Sequence, residues 1–427
     1  MPSRSIPPKS TRTPTIAPPP EAEQPPAHYV RRMDNPPIVA VLGAGPAGLE
    51  AALYARRLGL KTLLFERDAA VAPEVRAWAH VSMFTPWRDN RTPLGEIALR
   101  ENAYGRFVVP QSRLYPTGAD LLSRYLEPLA HILGDTLHVD TRVVAVGRSF
   151  LFPDEHDDEP EARQARRFRL LTRTPRDERI FTADYVLDTT GVTHTPRWMG
   201  SGGLPALGEM GSRGHIFTRI PDIGGRDRIH FLGKRTLLVG DGPSAAACAV
   251  TLAELLDKDP PASLVWVSKT RDLLPLAVVA HDPLPRRDLL MKKANLLAAN
   301  GHPRLEYLPT TQVEAVQHSL ADGRFTVTLQ VNHITRRLKV DSVVAAVGSR
   351  TDVSTFERAL HPAEPGWFVL GSKANACAGR DFTLSHLRTQ IRDTFQQICS
   401  DPDLDLYAQA EHALAAQARL AADTQAS

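Results

Sequence analysis

Apolar and polar positions follow a plan that the chain uses twice. The run Ile38-Val39-Ala40-Val41-Leu42 is apolar throughout and is stopped by Gly43. A short unbroken apolar run of this kind predicts a strand covered on both faces. A stretch with helical spacing follows, then Lys61-Thr62-Leu63-Leu64-Phe65-Glu66, a second strand ending in an acid. Tyr115 to Asp120 opens a helix from Leu121 to about Leu133, where leucines and Tyr125 recur at helical spacing. Thr136 to Arg148 alternates and predicts one strand. Arg167–Thr172 and Arg179–Ala183 complete a meander around the turn at Pro175-Arg176-Asp177. Tyr185-Val186-Leu187-Asp188-Thr189-Thr190-Gly191 then reads as a buried strand with a glycine stop.

A glycine-rich connector, Ser201 to Gly214, leads into the second round. Arg235-Thr236-Leu237-Leu238-Val239-Gly240 predicts a strand and turn, followed by a helix through about Leu256 and a strand at Leu264–Val267. A helix is expected over Pro285–Asn300, then a meander at Thr311–Ser319, Arg324–Val331 and Arg337–Val340. Val343-Val344-Ala345-Ala346-Val347-Gly348-Ser349 mirrors the earlier glycine-stopped strand. The chain is thus an internal repeat of nucleotide-type turn, meander and buried strand. Beyond it lie a short strand at Gly366–Lys373, a small-residue loop from Ala374 to Gly379 and a helix from about Ser385 to Cys399. An Ala-rich helix from Asp403 to about Ala422 can pack on the body or form a dimer, and the sequence leaves both open.

The glycines carry the chemistry. In Gly43-Ala44-Gly45-Pro46-Ala47-Gly48, the first glycine permits the tight turn, the second lets backbone approach a pyrophosphate, and the third lets helix pack on strand. The helix N-terminus then offers free amides to phosphate oxygens. Glu66 follows Gly48 by 18 residues (66 − 48), where a carboxylate accepts the hydroxyls of an adenosine ribose. The second turn, Gly240-Asp241-Gly242-Pro243-Ser244-Ala245, is the variant with alanine at the packing position. Its next strand runs into Ser268-Lys269-Thr270-Arg271 and not into an acid, which suits a 2′-phosphate and predicts a preference for NADP. Two unlike sites imply two nucleotides: a bound FAD and a nicotinamide that reduces it.

Composition narrows the partners. The 427 residues hold 51 basic and 48 acidic side chains, and no dense basic patch with interleaved aromatics suggests nucleic acid. No apolar run is long enough to cross a bilayer. Cys248, Cys377 and Cys399 are far apart and form no CxxC pair, disulfide framework or metal spacing, which makes a reducing, cytoplasmic setting the default. Residues 1–37 contain 11 of the 35 prolines, so residues 1–36 are expected to be a disordered tail. In the loop Trp78 to Arg88, Trp87 reads equally as an aromatic beside a cofactor ring or as a core anchor, and His80 as a satisfied polar group. The acidic loop Asp154–Glu159 reads as a solvated hairpin loop and not a metal site. His194, His281 and His302 read as structural or surface groups.

These motifs resemble those of the two-dinucleotide-binding-domain flavoproteins, the superfamily of glutathione and thioredoxin reductases and flavin-containing monooxygenases. More narrowly, the chain resembles bacterial predicted flavoproteins of the monooxygenase branch. The carriers are the two glycine turns with Glu66, Asp188-Thr189-Thr190-Gly191, and Ala346-Val347-Gly348, and the likeness spans about residues 37–400. It implies an α/β fold, a three-layer FAD/NAD(P)-binding Rossmann-like architecture with an NADPH domain (201–340) inserted into an FAD domain (37–200 and 341–400), and a C-terminal helix at 401–427. It implies FAD contacts from Gly43, Gly45, Gly48 and Glu66, with the strand around Val143-Val144 passing near adenine; Pro46, Ala47, Arg67, Val144, Gly191, Gly348 and Gly371 are further cofactor-binding candidates. NADPH would meet Gly240, Gly242, Ser244 and Lys269. The implied activity is oxygenation of a small molecule through a flavin C4a-hydroperoxide; a reductase of a quinone, disulfide or protein partner, and a low-turnover redox sensor, are the alternatives.

The departures bear on activity. The absent CxxC argues against dithiol exchange. The FxGxxxHxxxW/Y motif of the monooxygenase branch survives at Gly211 and His215 but has Glu209 and Arg219 in place of its aromatics, leaving His215 as a candidate. The glycine-glycine-tryptophan segment after the ribose acid is missing, and Gly371-Ser372 stands where relatives carry glycine-aspartate.

Overall fold

The computed structural model describes residues 35–102, 110–151, 160–192, 194–350, 357–359, 364–375 and 384–426. Most of the proline-rich tail, the acidic loop at Asp154–Glu159 and Cys377 lie outside these residues. Strands are β1 (Ile38–Leu42), β2 (Lys61–Phe65), β3 (Leu137–His138), β4 (Arg142–Arg148), β5 (Phe168–Arg173), β6 (Glu178–Ala183) and β7 (Tyr185–Asp188). They continue as β8 (Arg235–Val239), β9 (Ser263–Val267), β10 (Leu305–Leu308), β11 (Thr311–His318), β12 (Phe325–Val331), β13 (Ile334–Val340), β14 (Ser342–Ala345), β15 (Glu357–Ala359) and β16 (Trp367–Val369). Helices are α1 (Pro46–Arg57), α2 (Pro73–Ala77), α3 (Pro93–Asn102), α4 (Gly118–Leu121), α5 (Glu127–Leu133) and α6 (Pro160–Gln164). The rest are α7 (Glu209–Ser212), α8 (Pro243–Lys258), α9 (Pro285–Asn300), α10 (Ser372–Asn375), α11 (Leu384–Cys399) and α12 (Leu406–Ala426).

The first sheet is parallel, in the order β16-β7-β1-β2-β3. Its apolar run explains its two cores. Val39 and Val41 face a helical layer with Leu49, Leu53 and Phe395. Ala40 and Leu42 face the opposite way, onto Val143, Phe168 and Leu170 of the sheet β15-β4-β5-β6. A strand covered on both sides has no polar alternation to show, which is why the sequence reads as unbroken apolar.

The second sheet repeats this plan, in the order β10-β9-β8-β14, all parallel. Leu238 and Trp266 pack on α8 and α9. Leu237, Val239 and Val265 pack on the meander β11-β12-β13. β14 pairs with β8 and falls beyond the expected boundary at residue 340, whereas β16 returns to β7 of the first sheet.

The single strand expected over Thr136–Arg148 is two. Asp140 takes φ 47°, a left-handed conformation that no strand continues through. The Asp140 amide donates to Asp68 O at 3.0 Å, so β3 stays on the first sheet while β4 crosses to the meander. α12 docks on the body through buried Leu406, Tyr407 and Ala410. The Leu406 amide donates to the Tyr54 hydroxyl of α1 at 3.0 Å.

Candidate functional site

The first glycine turn sits at the C-terminal edge of β1. Gly43 has φ 97°, and its amide donates to Phe65 O at 2.7 Å, which joins the turn to β2. At Gly48 a Cβ would stand 1.8 Å from Gly43 O and 2.8 Å from Thr189 Oγ1, so only hydrogen fits. Thr189 Oγ1 lies 2.8 Å from Leu42 O and 2.9 Å from Gly43 O and donates there, fixing the turn from β7's side. Helix α1 begins with Pro46 and has no side-chain cap at Gly45, whose missing Cβ would meet nothing within 4 Å. Gly45, Pro46 and Ala47 line a cleft there, and the amides that follow Pro46 are suited to an anion.

Glu66 forms one wall and is only 4% exposed. Its Oε2 accepts from the Ala44 amide at 2.9 Å and its Oε1 from the Asp68 amide at 3.1 Å. Burial pushes the carboxyl above its ordinary range, and those two amides pull the other way. Arg67, Arg142 and Val143 continue this end of the cleft, and Thr190, Gly191, Gly371 and Ser372 form the other.

Three expectations shift and one open alternative closes. Val143 lines the cleft and Val144 does not, because the β4–β5 register slips between Val143 and Ala145 and leaves Val144 as an inserted residue. Trp87 is a core residue, 3% exposed, with its amide bonded to Leu114 O; it does not line the cleft. His215 lies at the meander of the second unit, its ring stacked on His318 with centroids 3.8 Å apart, and is not on the cleft wall. His194, read as structural or surface, does line the cleft. Glu74 also lines it and drew no notice in sequence, and Ser372, which stands where relatives carry aspartate, lines it too. The threonine-rich glycine stop just before His194 is the signal that pointed there.

The residues that replace the motif aromatics have other work. Glu209 is fully buried, accepts from the Met199 and Ala206 amides at 3.0 and 2.9 Å, and pairs with Arg213 at 2.9 Å. Arg219 donates to both carboxylate oxygens of Glu74, at 2.9 and 2.6 Å, joining the second unit to the cleft wall. A second bridge is Arg286 of α9, which stacks 3.9 Å over the Tyr115 ring and donates to Ser82 Oγ at 2.8 Å.

The second turn repeats the first. Gly240 has φ 147°, its amide donates to Val267 O at 3.1 Å, and its carbonyl accepts from Trp266 Nε1 at 2.9 Å. α8 again starts with proline and has no side-chain cap at Gly242. Ser244, at its second position, is exposed. Lys269 is 79% exposed and stands 4.0 Å from Asp241. Gly348, with φ 79°, sits on the connection between units, where its carbonyl accepts from the Arg197 amide at 2.9 Å.

Among the described residues no group of three or more His, Cys, Asp and Glu side chains could hold a metal ion, and no helix is long and apolar enough to cross a membrane. Cys248 is buried in α8 and Cys399 ends α11; neither lines the cleft.

The family described as glucose inhibited division protein A matches residues 38–83, the segment holding the first turn, Glu66 and α2. No curated protein matches the sequence. Bacillithiol disulfide reductase Bdr from Bacillus cereus superposes with a TM-score of 0.59 at 16% identity, covering 86% of this chain and 99% of that one. DfoA, the FAD-bound cadaverine monooxygenase of Erwinia amylovora, gives 0.58 at 10% identity, covering 86% and 95%. The ornithine N-hydroxylase KtzI of Kutzneria sp. 744 gives 0.52 at 17% identity, covering 75% and 83%. The chain therefore has the Rossmann-type fold of the flavoproteins with two dinucleotide-binding domains, as its motifs implied.

Proposed function

We propose that this chain is an FAD-dependent, NADPH-using oxidoreductase that oxygenates a small molecule. The observation that carries the reading is the pair of glycine turns, each at the C-terminal edge of its own parallel sheet, one closed by a buried acid and the other flanked by an exposed cation. The open Cβ position at Gly45, the uncapped helix start and the recessed carboxylate of Glu66 fit an adenine dinucleotide. When bound, FAD supplies hydride acceptance and the reaction with oxygen.

In this reading residues 37–200 and the return segment hold FAD, and the inserted unit from 201 through β14 holds NADPH. Glu66 accepts the ribose hydroxyls. The amides after Pro46 face the pyrophosphate, and Val143 and Arg142 flank adenine. Thr190, Gly191, His194, Gly371 and Ser372 enclose the far end, where His194 is placed to hold or move a proton. Gly240, Gly242 and Ser244 approach the second pyrophosphate, and Lys269 meets the 2′-phosphate. No cysteine among the described residues lines the cleft, which supports a route that needs no protein dithiol. The second reading, a reductase of a small disulfide or quinone, is favoured by the match to nearly the full length of Bdr.

Purified protein should show a flavin spectrum that NADPH bleaches anaerobically. On adding air, oxygen uptake coupled to a small amine, sulfide or carbonyl substrate supports oxygenation. Bleaching without such coupled uptake supports the reductase, and a colourless protein that takes up no FAD overturns both.

A further inference from the structure

Asp188 ends β7 and Lys373 lies in α10, and their side chains meet behind the far end of the cleft. Lys373 Nζ donates to Asp188 Oδ2 at 2.6 Å, and the two side chains are 6% and 0% exposed. Thr190 links the pair to the cleft. Its Oγ1 donates to Asp188 Oδ1 at 2.6 Å and stands 3.3 Å from Lys373 Nζ, while Thr190 itself is a lining residue. On the other side the residue before Lys373, Ser372, also lines the cleft.

Tying the return segment to the first sheet does not require charge. β16 already pairs with β7, and the Gly371 amide donates to Gln390 Oε1 at 2.8 Å. Buried ion pairs carry a large desolvation cost, and apolar side chains of similar volume hold neighbouring elements as well or better. What an ion pair adds is a fixed field, strong where water is excluded. This field stands one residue behind the wall at which the redox group is expected.

We propose that Asp188 and Lys373 are a positioning pair that sets the electron affinity of the flavin held in the cleft. The proposal rests on the reading that the cleft takes FAD. Lys373 favours the electron-rich reduced flavin, Asp188 disfavours it, and Thr190 moderates the carboxylate by donating to it.

The test is the midpoint potential of the bound flavin in the holoprotein, measured by equilibration with reference dyes. Lys373→Met leaves the carboxylate uncompensated and should shift the midpoint downward. Asp188→Asn leaves the ammonium uncompensated and should shift it upward. The double variant should return towards the wild-type value, and Lys373→Arg should stay near it. Single variants that shift in the same direction, or bind flavin with no shift, overturn the proposal while leaving the FAD reading intact. If the single charge variants do not fold, Thr190→Val serves instead: it should give a smaller downward shift, and an unchanged midpoint overturns the proposal. Wild-type protein that binds no flavin overturns both.

Discussion

The two glycine turns share a scaffold and differ in how far each is closed. Both follow a parallel strand, both hand their first amide to the neighbouring strand, and both lead into a helix that begins with proline. In the first, Gly48 lets α1 come so close that a methyl group would collide with Gly43 O. In the second, Ala245 occupies that place. The acid beside the first turn is recessed, with both oxygens bonded to amides; the cation beside the second stands in water. Helix α1 also buries Glu50, where α8 has Ala247. A buried, hydrogen-bonded contact mainly slows release, whereas a rim charge mainly speeds capture. On the proposed function, the first site is built to retain its nucleotide and the second to exchange it.

The largest test of this contrast is at the packing glycine. Gly48→Ala should destabilise the protein by about 3 kcal/mol or more in urea unfolding and abolish retention of flavin. Ala245→Gly should change stability by only about 1 kcal/mol. Equal losses at the two positions would remove the distinction between a closed and an open turn.

Next is Glu50. Its carboxylate accepts from Tyr125 Oη at 2.5 Å and from Thr92 Oγ1 at 2.9 Å. Burial pushes the carboxyl up to about 7 from an ordinary 4.5, against those hydrogen bonds and Arg388. The folded state then keeps a proton that the unfolded chain has lost, so stability is fullest at low pH and declines as pH rises from about 4.5 to about 7. Glu50→Gln removes this slope: its stability relative to wild type should rise by about 3 kcal/mol between pH 4 and pH 8. A pH-independent difference between the two proteins would contradict the raised carboxyl.

Smaller effects follow at the ribose and phosphate positions. Glu66→Gln should weaken FAD retention by roughly 30-fold, about 2 kcal/mol, as read by flavin release on dilution. Lys269→Ala should weaken NADPH by roughly fivefold, about 1 kcal/mol, and leave NADH unchanged. Equal losses for the two nicotinamides would refute a phosphate contact at Lys269.

Much of this contrast was legible in the chain. The apolar runs marked β1, β2, β7, β8, β9 and β14, and the helix expected at Pro285–Asn300 is α9 with those bounds. Glycine spacing located both turns, because the geometry they need is local. What escaped depended on distant segments. The break at Asp140 follows from a left-handed residue inside an alternating pattern. The displacement of Val144 by Val143 follows from a bulge set by β5. Trp87 offered two readings until Leu114 and the helical core enclosed it. The roles of Glu209 and Arg219 rest on partners that local spacing cannot name.

The sequence by itself determined the repeated strand–turn–helix units, the glycines that only those turns accept, and the contrast between an acid after β2 and a cation after β9. Steric limits and periodicity act over a few residues, and a few residues suffice to read them. Tertiary structure alone decided that β14, beyond residue 340, stays with β8, and that His194 reaches the cleft. It alone brought Asp188 to Lys373 and buried Glu50 beneath Tyr125. Such pairings come from chain crossovers and from the cost of leaving a buried charge or polar group unmatched, and those are settled only when remote segments meet.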